Sequence, residues 1–103
     1  ADGAVRLLLA GDEQPGEPTL ERAREIRRDF PAIERTLATF IEQEAEGRSR
    51  HADEIRRLHI ADVCLPWPDR PVDGMIYFTG GQDGRLWRCD FLGGRPSSLG
   101  YDS

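Results

Sequence analysis

The stretch MIYFTGGQDGRLWRCDFLGGRPSSLGY, residues 75–101, decides the fold. Its three runs of strand-forming residues are separated by GGQDG and GG, which are turn residues that β-hairpins use. In the middle run, LWRCDFL, apolar residues alternate with Arg88 and Asp90, and a period of two is typical of a strand in a sheet with one dry face. We therefore predict an antiparallel β-meander in the C-terminal third.

Residues 19–47 carry the pattern of a long helix. Thr19 is the predicted N-cap and Gly47 the predicted stop. Pro31 cannot donate a backbone hydrogen bond, so the helix is expected to kink there or to restart with Asp29 as a new cap. Apolar residues recur at steps of three and four, which predicts one apolar helix face: Leu20, Ala23, Ile26, Phe30, Ile33, Leu37, Phe40 and Ile41.

Three shorter segments complete the predicted fold. Residues 5–10 and 58–65 are apolar enough for strands, and residues 48–57 could form a short helix capped by Ser49. We expect a single α+β domain over residues 1–103, in which the long kinked helix packs on a largely antiparallel sheet of about four strands. Because the chain starts at Ala1, it could also be the C-terminal part of a longer chain.

The charge and hydropathy of the chain exclude two classes of partner. The net charge is −5, and a phosphate backbone is bound by clustered cations, so we predict no nucleic-acid partner. No apolar run approaches the roughly 20 residues that a membrane helix needs, so we predict no membrane partner. The expected location is the cytoplasm, with a removed signal peptide as the alternative.

His59, Asp62 and Cys64 are the set that most resembles catalytic residues, since a cysteine nucleophile needs a histidine base and an orienting acid. In a regular strand, however, His59 would lie on the face opposite to the other two. We therefore assign no catalytic residue.

The cysteines and histidines do not predict a metal site. His51, His59, Cys64 and Cys89 lack the close pairs, such as CxxC, that structural zinc sites use. We predict no metal and no cofactor. Free, buried cysteines are the preferred interpretation, and a disulfide between Cys64 and Cys89 is the alternative.

The progression from GEPTLERAREIRRDFPAIERTLATFIEQEAE, residues 16–46, to GMIYFTGGQDGRLWRCDFLGGRPSSLGYDS, residues 74–103, resembles small bacterial α+β domains of unknown function. In these domains a helix is followed by a meander that ends in a Gly-aromatic-Asp tail. Some related proteins are suspected immunity or interaction proteins. The resemblance implies an interaction role and no catalytic residue.

Trp67 is the sharpest candidate for a contact residue. Pro66 and Pro68 stiffen the chain on either side of it, so the loop could hold the indole outward as an anchor or press it over the end of the core. Tryptophan and arginine are enriched at interface hot spots, and the predicted interface residues are Trp67, Asp69, Arg70 and Arg88.

The sequence favours a non-enzymatic module that binds an unidentified protein partner. The alternative function is a small enzyme or ligand-binding protein with its site between the helix and the 66–74 loop. A homodimer formed through edge strands stays open beside either function.

Overall fold

A five-stranded sheet with three helices on one face makes up the computed structural model, which describes residues 5–9, 16–67, 69–82 and 85–102. The elements in chain order are β1 (Arg6–Leu9), α1 (Glu17–Arg28), α2 (Phe30–Gly47), α3 (Ala52–Arg56), β2 (His59–Leu65), β3 (Gly74–Thr79), β4 (Leu86–Leu92) and β5 (Arg95–Asp102). The α+β class and the C-terminal meander are confirmed.

The order of the strands in the sheet follows their order in the chain, from β1 at one edge to β5 at the other. β1 pairs with β2 in parallel, and every later pair is antiparallel. The sheet is therefore mixed and five-stranded, where the sequence predicted about four largely antiparallel strands. A parallel pair needs a long crossover connection, and the three helices provide it.

The helical segment divides at Asp29 into α1 and α2. The Asp29 amide still donates to the Glu25 carbonyl at 2.8 Å, and the Ile33 amide donates to the Asp29 carbonyl at 3.2 Å. Pro31 has no amide hydrogen to donate, which accounts for the interruption of the helical ladder next to Asp29. Asp29 occupies the N-cap position of α2, but its side chain does not cap the helix as predicted and instead accepts hydrogen bonds from Arg28.

The helix ends differ from the prediction in two places. α1 begins after Gly16, so Thr19 lies buried within its first turn and is not the N-cap. α2 ends at Gly47, as predicted. α3 begins after His51 rather than at a Ser49 cap. None of the described helices combines the length and the apolar character that crossing a membrane requires.

The core lies between the helices and one face of the sheet, which we call the covered face. β4 supplies its centre: Trp87 and Cys89 have no solvent exposure, and Phe91 is buried beside them. The dry face predicted from the alternation in LWRCDFL is confirmed. Buried residues of the other elements complete the cluster: Ile26, Leu37, Ala45, Ile55, Val63, Leu65, Ile76, Phe78 and Leu99.

Candidate functional site

The opposite side of the sheet, which we call the open face, has no described element packed over it. Strand alternation assigns to it the residues that lie between the buried ones of the covered face. The cross-strand register arranges these residues in two rows. Row one is Arg6, Asp62, Tyr77, Arg88 and Gly100. Row two is Leu8, Cys64, Met75, Asp90 and Ser98.

β3 is the middle strand, so Tyr77 and Met75 lie at the centre of the open face. Both side chains are partly exposed, and the Tyr77 hydroxyl lies 3.7 Å from the Met75 sulfur. The centre of the face therefore presents a large aromatic ring and a polarizable thioether, groups that suit contact with another surface.

The charges of the two rows are matched in pairs. Arg6 donates two hydrogen bonds to Asp62, from Nε at 2.7 Å and from Nη2 at 3.2 Å. Arg88 Nε lies 3.2 Å from Asp90 Oδ1, and the Ser98 hydroxyl donates to Asp90 Oδ2, also at 3.2 Å. Surface ion pairs of this kind add little to folding stability. Their main consequence is that the two rows carry no net charge.

Exposed leucines lie around these paired charges. Leu8, Leu86 and Leu92 belong to the open face by strand alternation, and they are 40%, 46% and 55% exposed. Val72, in the loop between β2 and β3, is 45% exposed. Scattered exposed apolar residues are ordinary, but several of them on one uncovered sheet face are typical of a contact surface.

Trp67 is neither a fully exposed anchor nor a core residue, the two positions considered from the sequence. Its indole is half-buried and does not belong to the core cluster, and the Arg70 guanidinium carbon lies 4.5 Å from the ring centroid. Asp69 is exposed in the same loop. Pro68, which the sequence predicted to stiffen the loop, lies outside the described residues.

The loop that carries Trp67 is tied to the turn between β4 and β5. The Gly93 amide donates to Asp73 Oδ1 at 2.7 Å, and the Gly94 amide donates to the Val72 carbonyl at 3.1 Å. Gly93 and Gly94 both have positive φ, as a tight hairpin turn requires. The loop is therefore held at the end of the sheet where Leu92 is exposed.

Arg88 belongs to the open face itself, in row one. No hydrogen bond or ion pair joins it to Trp67, Asp69 or Arg70, all of which lie in the described part of the chain. The structure thus brings three predicted interface residues together in the loop and places the fourth on the adjoining sheet.

A β-bulge changes the relation among His59, Asp62 and Cys64. The register shifts between Ile60 and Asp62, so His59 pairs with Thr79 while Asp62 pairs with Tyr77. Because directly paired residues share a face, His59 lies on the same side as Asp62, contrary to the regular alternation assumed from sequence.

Even so, these three residues do not form a catalytic arrangement. The Asp62 carboxylate is occupied by Arg6, and no hydrogen bond joins His59 to either of the other two, all three being described residues. Burial, followed by the charge of Asp62, raises the pKa of the Cys64 thiol. A raised pKa favours the protonated thiol, which is a poor nucleophile.

Cys64 and Cys89 are both free thiols. They lie on opposite faces of the sheet with β3 between their strands, a placement that a disulfide cannot span. Burial raises the pKa of Cys89 to about 12, so this thiol is an apolar core group.

Sequence reasoning missed a buried polar cluster centred on Glu54, in α3. The Glu54 side chain is 4% exposed. Its Oε2 accepts hydrogen bonds from Trp87 Nε1 at 2.6 Å, from the Gln82 amide at 2.9 Å and from Arg85 Nε at 3.0 Å. Arg85 also donates from Nη2 to Oε1. These bonds, those from Arg85 foremost, hold the pKa of Glu54 at about 2.

The hydrogen bonds of this cluster hold α3 against the segment between β3 and β4. Gly81 of that segment packs so closely that a Cβ atom would meet the Arg85 carbonyl oxygen and approach Trp87 Cδ1 to 2.9 Å. A buried indole N–H needs an acceptor, so a tryptophan on the dry face signalled that some polar partner must exist. No local pattern indicated that the acceptor would be Glu54.

Comparison of the chain with protein-family models, with curated proteins and with solved structures finds no match in any of the three. Among the described residues, no group of three or more His, Cys, Asp or Glu side chains is arranged to hold a metal ion.

Proposed function

We propose that this protein is a non-enzymatic protein-binding module whose contact surface is the open face. The observation that carries the proposal is the exposure of Leu8, Leu86 and Leu92 on a sheet face that no described element covers. Burying these side chains against a partner removes apolar surface from water. The charges between them are already paired within the sheet, so the partner need not supply opposite charges.

The loop between β2 and β3 extends the proposed surface at the end where Leu92 lies. Hydrogen bonds from the β4–β5 turn to Asp73 and Val72 hold the loop in place, so its position does not require a bound partner. Trp67, stacked with Arg70, supplies the residue types that most often dominate binding energy. We expect the module to act in the cytoplasm, where its free thiols stay reduced.

The ligand-binding alternative requires a cavity between the helices and this loop. The small space nearest to that position lies between the helices and strands β2 to β4, is lined by Arg22, Ile33 and Leu65 but by no described residue of the loop, and has a volume of about 30 Å³. That is room for about one water molecule. A wider groove of about 230 Å³ lies between β1 and the helices, but its lining is apolar except for Arg27, without the convergent polar groups that orient a substrate.

Position-specific photo-crosslinking in cells that natively make the protein tests the proposal. A photoreactive phenylalanine analogue replaces Leu92 on the open face, and in a matched control it replaces Glu46, which is exposed on α2. We expect a discrete crosslinked product from position 92 and none from position 46. Trp67→Ala, made in the position-92 variant, should reduce its yield.

Two outcomes would overturn the proposed function. One is equal crosslinking from positions 92 and 46, which would show nonspecific contact. The other is no product from position 92 and none from a second open-face position, Tyr77, in protein shown to be folded by circular dichroism.

A further inference from the structure

We infer that the partner that fits the open face is a second copy of this chain. The inference rests on the proposed function, because it identifies the protein that the same surface binds. It is carried by two properties of the face: its charge balance and the order of its charges across the strands.

The charge balance of the two rows differs from that of the whole chain. The chain carries a net charge of −5, whereas the two rows carry two arginines and two aspartates, each beside its opposite. Two identical acidic proteins repel each other except through a surface without net charge. A strongly basic partner would instead be drawn to the acidic surfaces elsewhere.

The order of charges in row one is self-complementary. Tyr77 lies at its centre, with Asp62 on one neighbouring strand and Arg88 on the other. When two open faces pack with a two-fold axis along β3, each strand on one side of the axis faces the strand on the opposite side. Asp62 of each copy then faces Arg88 of the other copy, and the two Tyr77 side chains meet on the axis.

The size of the open face limits the strength of this contact. Five strands about 4.8 Å apart and about six residues long make a face of about 24 by 20 Å, or about 480 Å². A standard stable interface buries about 800 Å² on each partner. We therefore expect a reversible dimer with a dissociation constant in the micromolar range, to which the Trp67 loop contributes at the rim.

A charge-swap experiment tests the predicted pairing. Asp62→Arg would set two arginines against each other at each pairing, and Arg88→Asp would set two aspartates against each other. Sedimentation velocity over a concentration series should show the wild type dimerising and each single variant weakened by more than about tenfold. An equimolar mixture of the two variants should dimerise again, because one variant carries arginine at both positions and the other carries aspartate at both.

The matched control is Glu46→Arg, a reversal of the same sign as Asp62→Arg on the exposed end of α2. It should dimerise as the wild type does. Circular dichroism and thermal unfolding of each variant establish that it is folded. Recovery in the mixture is itself informative, since a misfolded variant would not be rescued by another.

Three results would overturn the inference, and they differ in what they leave of the proposed function. A monomeric wild type that still crosslinks from position 92 to a different protein would reject the second copy and keep the binding module. A monomeric wild type without crosslinks would reject both. A dimer unaffected by either variant would place self-association elsewhere, for instance on the edge strands.

Discussion

Polar side chains on the two faces of the sheet find their hydrogen-bond partners in different places. On the covered face the one polar atom of the central tryptophan side chain, Trp87 Nε1, is satisfied by Glu54 in a buried site. On the open face the charged side chains of the two rows pair with one another, Arg6 with Asp62 and Arg88 with Asp90. Trp87 of the covered face thus takes its hydrogen-bond partner from a helix, whereas the charged residues of the two rows take theirs from within the sheet.

We therefore expect the covered face to determine folding stability and the open face to determine association. Side chains of the covered face hold the layers together, so changing them should lower the free energy of unfolding. Side chains of the open face touch mainly one another and solvent, so changing them should alter binding and leave stability nearly unchanged.

The largest expected contrast is between two adjacent residues of β4. Phe91 is buried on the covered face and Leu92 is 55% exposed on the open face. Phe91→Ala should lower the free energy of unfolding by about 3–5 kcal/mol, and Leu92→Ala should change it by less than about 0.5 kcal/mol. Urea denaturation of the three proteins at a concentration where all are monomeric measures both. Similar losses for the two variants would remove the distinction between the faces.

The polar part of the covered face should be nearly as sensitive. Glu54→Ala removes the carboxylate that accepts hydrogen bonds from Trp87 Nε1, the Gln82 amide and Arg85. The expected loss is about 3 kcal/mol. Glu46→Ala, at an exposed helix position, is the control and should be almost neutral. An unchanged midpoint for Glu54→Ala in urea denaturation would show that the cluster contributes no net stability.

The close packing of Gly81 gives a third test. Gly81→Ala would push a methyl group against the Arg85 carbonyl oxygen and the Trp87 ring, so we expect a loss of about 2 kcal/mol. Gly47→Ala is matched to it, since no described atom outside the adjoining stretch of α2 lies within 4 Å of the added Cβ there. The control should be neutral or slightly stabilising because alanine favours a helix. Thermal unfolding compares the two, and equal stability would contradict the close packing.

Acid should weaken the same cluster. The pKa of Glu54 is about 2 when folded, below its ordinary value of 4.5, so its contribution is complete above about pH 5 and is lost as the pH falls through 4.5 towards 2. Between about pH 5 and about pH 3.5 the wild type should lose about 1 kcal/mol more stability than Glu54→Gln. Urea denaturation at both pH values measures this, and identical losses would show that Glu54 is not the group responsible.

The sequence predicted features that depend on neighbouring residues and missed those that depend on contacts between distant segments. Alternation in LWRCDFL marked the two faces of β4 correctly, because strand geometry depends only on neighbouring residues. The parallel pairing of β1 with β2 was not predicted, since the partner strands are more than fifty residues apart. The bulge at Ala61 had no marker such as glycine, and it reversed the predicted side of His59.

The candidate site was predicted only in part. Arg88 and the loop residues Trp67, Asp69 and Arg70 were named from residue type and from the prolines beside Trp67. The two rows across the five strands depend on the pairing register, which the sequence does not reveal. The Glu54 cluster depends on contacts across 28 to 33 residues of chain. No local pattern encodes a partner at that separation.

The oxidation rate of Met75 is the most direct test of whether the open face is a contact surface. Met75 is the single methionine of the chain and lies at the centre of the open face. Limited peroxide treatment, with free methionine as the internal standard, gives its oxidation rate by mass spectrometry. We predict that the rate falls as wild-type concentration rises through the micromolar range, while the rate in Asp62→Arg stays constant. A wild-type rate that is independent of concentration, and that also stays unchanged when any different protein crosslinked from position 92 is added, would contradict the proposal that the open face is a contact surface.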